Sequence, residues 1–203
     1  MYVPTIFNPP SAIAVKSYID ENGFATLVGL KSGGIIATHT PLFLKEKEGK
    51  EYLIGHISIA NEQKSCFEEG QEMLAIFMEN HTYISSSWYD HINVPTWNYI
   101  AVHIYGRVKK LPEDEKLKVV DNLVARYEEK SKEPFHTSQM SDNYLKNQLK
   151  GIVAFEMEIQ NIEASWKLSQ NRDNNNYLAI INKLKERGDE MSLMIAKEME
   201  ALR

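Results

Sequence analysis

Cysteine is almost missing: Cys66 is the only one in 203 residues. No disulfide can form within the chain, and no thiolate-rich metal site is available. Cationic excess is missing as well. Against 23 Lys and Arg stand 28 Asp and Glu, a formal net charge of −5, which argues against a broad basic face for nucleic acid or anionic lipid. No apolar run approaches the roughly 20 residues that cross a bilayer. The start, Met1-Tyr2-Val3-Pro4, lacks the basic and apolar regions of a secretory signal. The expectation is a cytoplasmic protein with no membrane partner. Also absent are the phosphate-binding G-x-x-x-x-G-K-[ST] loop, a G-x-G-x-x-G turn after a strand, the G-x-S-x-G elbow and the H-E-x-x-H zinc spacing. Glycine and proline are sparse, 10 and 7, and no repeat or low-complexity linker interrupts the chain.

What is present is the hydrophobic pattern of one ordinary core. Ser11 and Gly23 bracket an amphipathic run, predicting a helix over about 11–21 with a serine N-cap and a left-handed glycine stop. Strands follow at about 24–30, 35–44 and 51–57, linked by turns at Ser32-Gly33-Gly34 and Lys47-Glu48-Gly49-Lys50. A short helix is expected from Asn61 to Phe67, then strands at 73–78 and 83–85. A long strand at 96–109 carries Ile100, Val102, Ile104 and Val108 on one face. Pro112 opens a helix with Leu117, Val120, Val124 and Tyr127 as its apolar stripe. A short helix near 142–150 and a strand over 151–168 complete the pattern. Residues 173–203 form a helical tail. The domain reading is therefore 1–172, with a helical insertion at about 113–150, and the tail 173–203. Consecutive hairpins favour an antiparallel sheet closed into a small barrel, an α+β or mainly β fold, over βαβ units.

Four segments hold more polar and aromatic groups than packing requires. In Thr38-His39-Thr40-Pro41, proline suits an edge strand, or the strand faces a planar ligand. In Gly55-His56 through Asn61, the asparagine is an N-cap, or a phosphate donor beside His56. Tyr83-Ile84-Ser85-Ser86-Ser87-Trp88-Tyr89 is a surface turn with an aromatic anchor, or three hydroxyls cradling a phosphate beneath a ring. In Val94-Pro95-Thr96-Trp97-Asn98-Tyr99 the aromatics serve a core or an interface. The six histidines show no metal-ligand spacing, and no metal site is expected. Together the segments suggest a mononucleotide or similar anionic aromatic ligand on a barrel.

These blocks, with Phe24-Ala25-Thr26-Leu27-Val28, Val102-His103, Tyr105-Gly106 and Trp166-Lys167-Leu168-Ser169-Gln170-Asn171-Arg172, occur in an order that resembles the PaiB-type FMN-binding negative transcriptional regulators of bacilli and related bacteria. The likeness covers nearly the whole chain up to Arg172. It implies an FMN-binding split β-barrel, similar to the pyridoxamine-phosphate oxidase fold, with peripheral helices. It implies a homodimer with FMN at the subunit interface. By position, Thr38 and His39 would line the isoalloxazine. His56, Asn61, Ser85, Ser86 and Ser87 would serve the phosphate and ribityl end. Trp88, Tyr89, Trp97 and Asn98 would close the pocket, and Lys167, Gln170 and Arg172 would add positive charge or donors.

The resemblance further implies repression of protease-synthesis and sporulation genes, with DNA or a regulatory protein as partner. No helix-turn-helix pattern appears, and Lys109, Lys110, Lys146, Lys150, Lys183, Lys185 and Arg187 are scattered, so indirect action is expected. No catalytic residue is assigned. Two alternatives stand beside the regulator: an FMN-dependent oxidoreductase using a nicotinamide donor, and an apo barrel acting only as a dimeric interaction module.

Overall fold

The computed structural model describes residues 1–31, 33–67 and 70–203. Helix α1 spans Ala12–Glu21, followed by strands β1 (Phe24–Lys31), β2 (Gly34–Lys47), β3 (Lys50–Ser58), β4 (Glu72–Phe77), β5 (His81–Ile84) and β6 (Thr96–Lys110). Helices α2 (Lys116–Glu128) and α3 (Asp142–Lys150) precede strand β7 (Ile152–Lys167), and α4 (Asn174–Arg187) and α5 (Glu190–Ala201) end the chain. The sheet order is β4-β1-β2-β3-β7-β6-β5, and a further β4–β6 pairing closes six of the strands on themselves. Strand β1 runs antiparallel to β2 from Phe24↔Pro41 to Lys31↔Gly34, and β3 runs antiparallel to β7 from Tyr52↔Glu158 to Ser58↔Ile152. This is the antiparallel, helix-flanked split barrel that the sequence pattern and the family resemblance led to expect.

The chain divides into two compact units. The first comprises 19–76 and 104–162; the second comprises 1–18, 77–103 and 163–203. In the first unit, Leu27, Leu42, Leu53, Phe155 and Met157 have no exposed surface, each fully buried apolar side chain being worth about 1.5–3 kcal/mol. The rings of Phe67 and Phe155 lie 4.6 Å apart. Apolar doublets such as Leu42-Phe43, Leu53-Ile54 and Ala154-Phe155 break the alternation of a one-sided strand because both faces are covered. Outside the barrel, Phe43, Ile54 and Ala154 pack against Val119 and Leu123 of α2. Contrary to the stripe read from the sequence, Leu117 and Tyr127 are exposed. The buried face is one position away, and it includes Lys116, whose ammonium reaches the Leu149 carbonyl at 3.2 Å and Glu113 at 2.8 Å. A lysine stem covers apolar surface as readily as a leucine when its charge is paired.

Ser11 caps α1 as expected, its hydroxyl accepting from Ala14 N–H. Gly23 departs from expectation. It is not among the positive-φ residues; instead a Cβ there would meet the Tyr127 hydroxyl at 2.9 Å and the Leu42 carbonyl at 3.0 Å. Gly33, with φ +81°, supplies the left-handed residue of the β1–β2 turn; Ser32 of that turn lies outside the described residues. In the second unit, Tyr18 of α1 donates to the Ile100 carbonyl at 3.2 Å, accepts from Glu79 N–H at 2.9 Å and meets Trp166 edge-on. The tail forms two helices joined at Gly188, whose φ of +72° ends α4 in the left-handed manner. Among the described residues, no helix is long and apolar enough to cross a membrane.

Candidate functional site

The structure brings the sequence-predicted residues together in two sets, one in each unit. In the first unit, β2 carries Thr38 and His39, β3 carries His56, and Asn61 stands just before the 3-10 turn Glu62–Phe67. Asn61 donates to the Thr38 hydroxyl at 2.8 Å and accepts from Gln63 N–H at 2.9 Å. It therefore caps the turn and braces β2 at once. The exposed His39 ring stacks with Phe24 and shares a 3.0 Å hydrogen bond with Thr26.

His56 differs from its neighbours. Its Nδ1 is buried with no hydrogen-bond partner, and burial pushes the imidazole below its ordinary pKa, so the neutral ring is favoured. Gly55, read as a point of close backbone approach, does make one. A Cβ there would meet Leu42 at 2.5 Å and the Pro41 carbonyl at 2.9 Å, so the close neighbours are β2 side chain and backbone.

Gln63 was not anticipated. It has no exposed surface; its amide nitrogen donates to the Leu27 carbonyl at 2.9 Å while its Oε1 is left without a partner. A glutamine two residues past an Asn cap was the available signal, but a short polar turn does not reveal that its side chain points inward.

In the second unit, Ser85 caps the 3-10 turn Ser86–Trp88, accepting from Ser87 N–H at 3.2 Å and meeting the Ser87 hydroxyl at 2.8 Å. Ser86 is half-buried in the same turn. Trp88 lies under the Arg187 guanidinium at 4.6 Å, and Tyr89 under that of Arg172 at 4.9 Å. Trp97 is half-exposed, flanked by His81 and Tyr83. Asn98 has no exposed surface; it accepts from the Ser169 hydroxyl at 3.0 Å and donates to the Met199 sulfur at 3.4 Å.

Lys167 reaches the Thr96 hydroxyl at 2.6 Å and lies over the Tyr99 ring. Gln170 is committed to its own turn, donating to the Trp166 carbonyl and accepting from Leu168 N–H. Ser169, at φ +63°, shapes that turn. Arg187, read earlier only as a scattered charge, donates to Thr82 at 2.9 Å and to the Tyr83 carbonyl at 3.0 Å. The side-chain amide of Asn176 on α4 likewise accepts from Asp90 N–H and donates to the Asp90 carboxylate. The helical tail thus fixes the segment that carries the serines.

Buried polar atoms are nearly always paired in folded proteins, so the exceptions point to absent partners. Within the two sets the exceptions are His56 Nδ1, Gln63 Oε1, the Tyr89 hydroxyl and Arg172 Nε. In the first unit an imidazole nitrogen and an amide oxygen are thus left open to a polar ligand, and in the second a phenol hydroxyl and a guanidinium N–H.

Comparison with known proteins shows the family. Residues 1–161 match the family model described as "Putative FMN-binding domain". Over 200 residues the chain is 38% identical to protease synthase and sporulation protein PAI 2 of Bacillus subtilis, covering 98% of this chain and 97% of the relative. Among solved structures, the FAD and heme binding protein of Mycobacterium smegmatis superposes with a TM-score of 0.61 at 16% identity, covering 84% of this chain and 78% of that one. The flavocytochrome Anf3 of Azotobacter vinelandii gives a TM-score of 0.56 at 18% identity, covering 84% and 74%. At such identities the structural likeness establishes the fold.

Proposed function

The chain belongs to the FMN-binding domain family, and from that membership we propose that it is an FMN-binding regulatory protein acting, like its Bacillus subtilis relative by name, in protease synthesis and sporulation. The family match over 1–161 carries the cofactor assignment. Within the first unit the residues fit the group: Thr38 and His39 would line the ring system, and His56, with its unpartnered Nδ1, would serve the ribityl and phosphate end. Bound FMN would supply one- and two-electron redox chemistry, tuned by the hydrogen bonds and charges around it.

The working form is a homodimer in the cytoplasm. In support, Phe24, Leu30 and Ile35 on the outer side of the β1–β2 ribbon are 62%, 62% and 79% exposed. Leu30 and Ile35, register partners across the two strands, form an exposed apolar pair of the kind that soluble proteins cover with a partner. The single buried cysteine suits a reducing compartment. Regulation is indirect. The cations of α4 that a DNA-reading helix would need are engaged elsewhere: Lys183 with Glu186, Lys185 with Glu200, and Arg187 on Trp88 and Thr82.

Sedimentation of the purified chain with FMN, followed at protein and flavin wavelengths together, tests this reading. Flavin absorbance travelling with a species of twice the chain mass is expected. Monomers free of flavin would overturn it, and a salt-sensitive, sequence-selective shift of promoter DNA would overturn indirect action.

A further inference from the structure

Lys118, Asn122 and Arg126 follow one another at intervals of four along α2, so they stack in a single row, about 6 Å apart along the axis. Beside this row runs β2, where Phe43 packs under Val119 and Leu123. Strand alternation places Lys45, two residues further on, on the same face as Phe43. Between the two elements lies a groove of about 390 Å³, lined by Phe43, Leu44 and Lys45 of β2 and by Lys118, Asn122 and Arg126 of α2. All of it belongs to the first unit. Three cations and no carboxylate line the groove, in a chain whose net charge is −5. Arg126 is anchored, its guanidinium donating to the Asp20 carbonyl and, at 3.1 Å, to the Asp20 carboxylate. Asp121, beside the row, accepts from the Thr137 hydroxyl. Lys45 and Lys118 have no ion pair among the described residues.

We propose that the groove between α2 and β2 binds an extended acidic segment of a partner polypeptide. Two unpaired ammonium groups, one from each wall, are complementary to carboxylates, and the guanidinium and the Asn122 amide continue the row of donors. Alternate side chains of an extended chain lie about 6.6 Å apart, close to the spacing of that row. A polynucleotide carries a charge on every unit and would meet the acidic surface beyond the groove, whereas a peptide places its carboxylates only where the cations stand. As the route for indirect regulation the contact rests on that reading; as a binding site it needs neither that reading nor a flavin.

Nuclear magnetic resonance titration of the isotope-labelled full chain tests this. The probe is a ten-residue peptide alternating Glu and Thr, with its Gln-for-Glu counterpart as the neutral control. Wild type is compared with Lys45→Gln, Lys118→Gln, the double variant and Lys132→Gln, which removes an exposed lysine outside the groove; melting curves confirm folding. Amide shifts are expected on β2 around Lys45 and on α2 from Lys118 to Arg126, with the acidic peptide and not with the neutral one. Affinity should fall by about two- to fivefold in each groove variant, further in the double variant, and hold in Lys132→Gln. No shifts with the acidic peptide, or equal weakening in Lys132→Gln, would overturn the proposal. So would concentration-dependent shifts at the same amides without peptide, lost in the double variant, which would make the occupant a second copy of this chain. A duplex oligonucleotide that outcompetes the peptide would overturn both this site and indirect regulation. Silence toward peptide and duplex alike would remove the groove and leave the regulatory reading standing.

Discussion

His56 concentrates the chemistry of the first unit in one side chain. Burial holds its ring below the ordinary pKa of 6.5, and His103 is lowered too, by burial first and then by the N-terminal ammonium. The unfolded chain takes up these protons near pH 6.5 while the folded chain resists. The resulting stability is whole above about pH 6.5 and is lost as pH falls through the folded-state values. Thermal melts between about pH 7.5 and 5 should show a falling midpoint, with a shallower fall in His56→Gln; parallel curves would remove His56 as a contributor. Single residues were also where the sequence said least. Asn61 was open to two readings, a cap and a ligand donor, and only the fold shows its amide divided between Thr38 and Gln63. The contacts of Gln63 and Arg187 were not legible because their partners, the Leu27 carbonyl and the Thr82–Tyr83 segment, are far away in sequence.

At the level of elements, strand positions followed from alternation and turn residues, since period-two patterns and glycine turns are local signals. The α2 face did not, because a buried lysine with its own partners breaks the apolar stripe. Close strand packing yields a sharper expectation. A Cβ at Gly106 would collide with the Glu158 carbonyl of the facing strand, while at Gly55 it would chiefly press on the Leu42 side chain. Gly55→Ala should destabilise by about 1–3 kcal/mol, and Gly106→Ala by more, because backbone yields less readily than a side chain. Equal denaturation midpoints for the two variants would contradict this. The tail is tied down by Arg187, which holds Thr82, the Tyr83 carbonyl and Trp88. Arg187→Ala should cost about 1–3 kcal/mol and raise protease sensitivity around Ser85–Trp88; unchanged cleavage there would show that the tail does not brace it.

For the whole molecule, the apolar face of the β1–β2 ribbon offers a direct handle on assembly. Ile35 is 79% exposed, so Ile35→Glu should leave the fold unaltered by circular dichroism while converting dimers to monomers in light scattering. A variant that stays dimeric would place the interface elsewhere. Closure of the sheet and the family were readable from ordered blocks of residues along the chain, whereas the proposed pairing between copies rests on exposed apolar side chains alone. Binding of FMN by this chain can be read from equilibrium dialysis of the protein against the flavin. Saturation at one FMN per chain is the result predicted. Flavin remaining equal on both sides of the membrane at every concentration would contradict it.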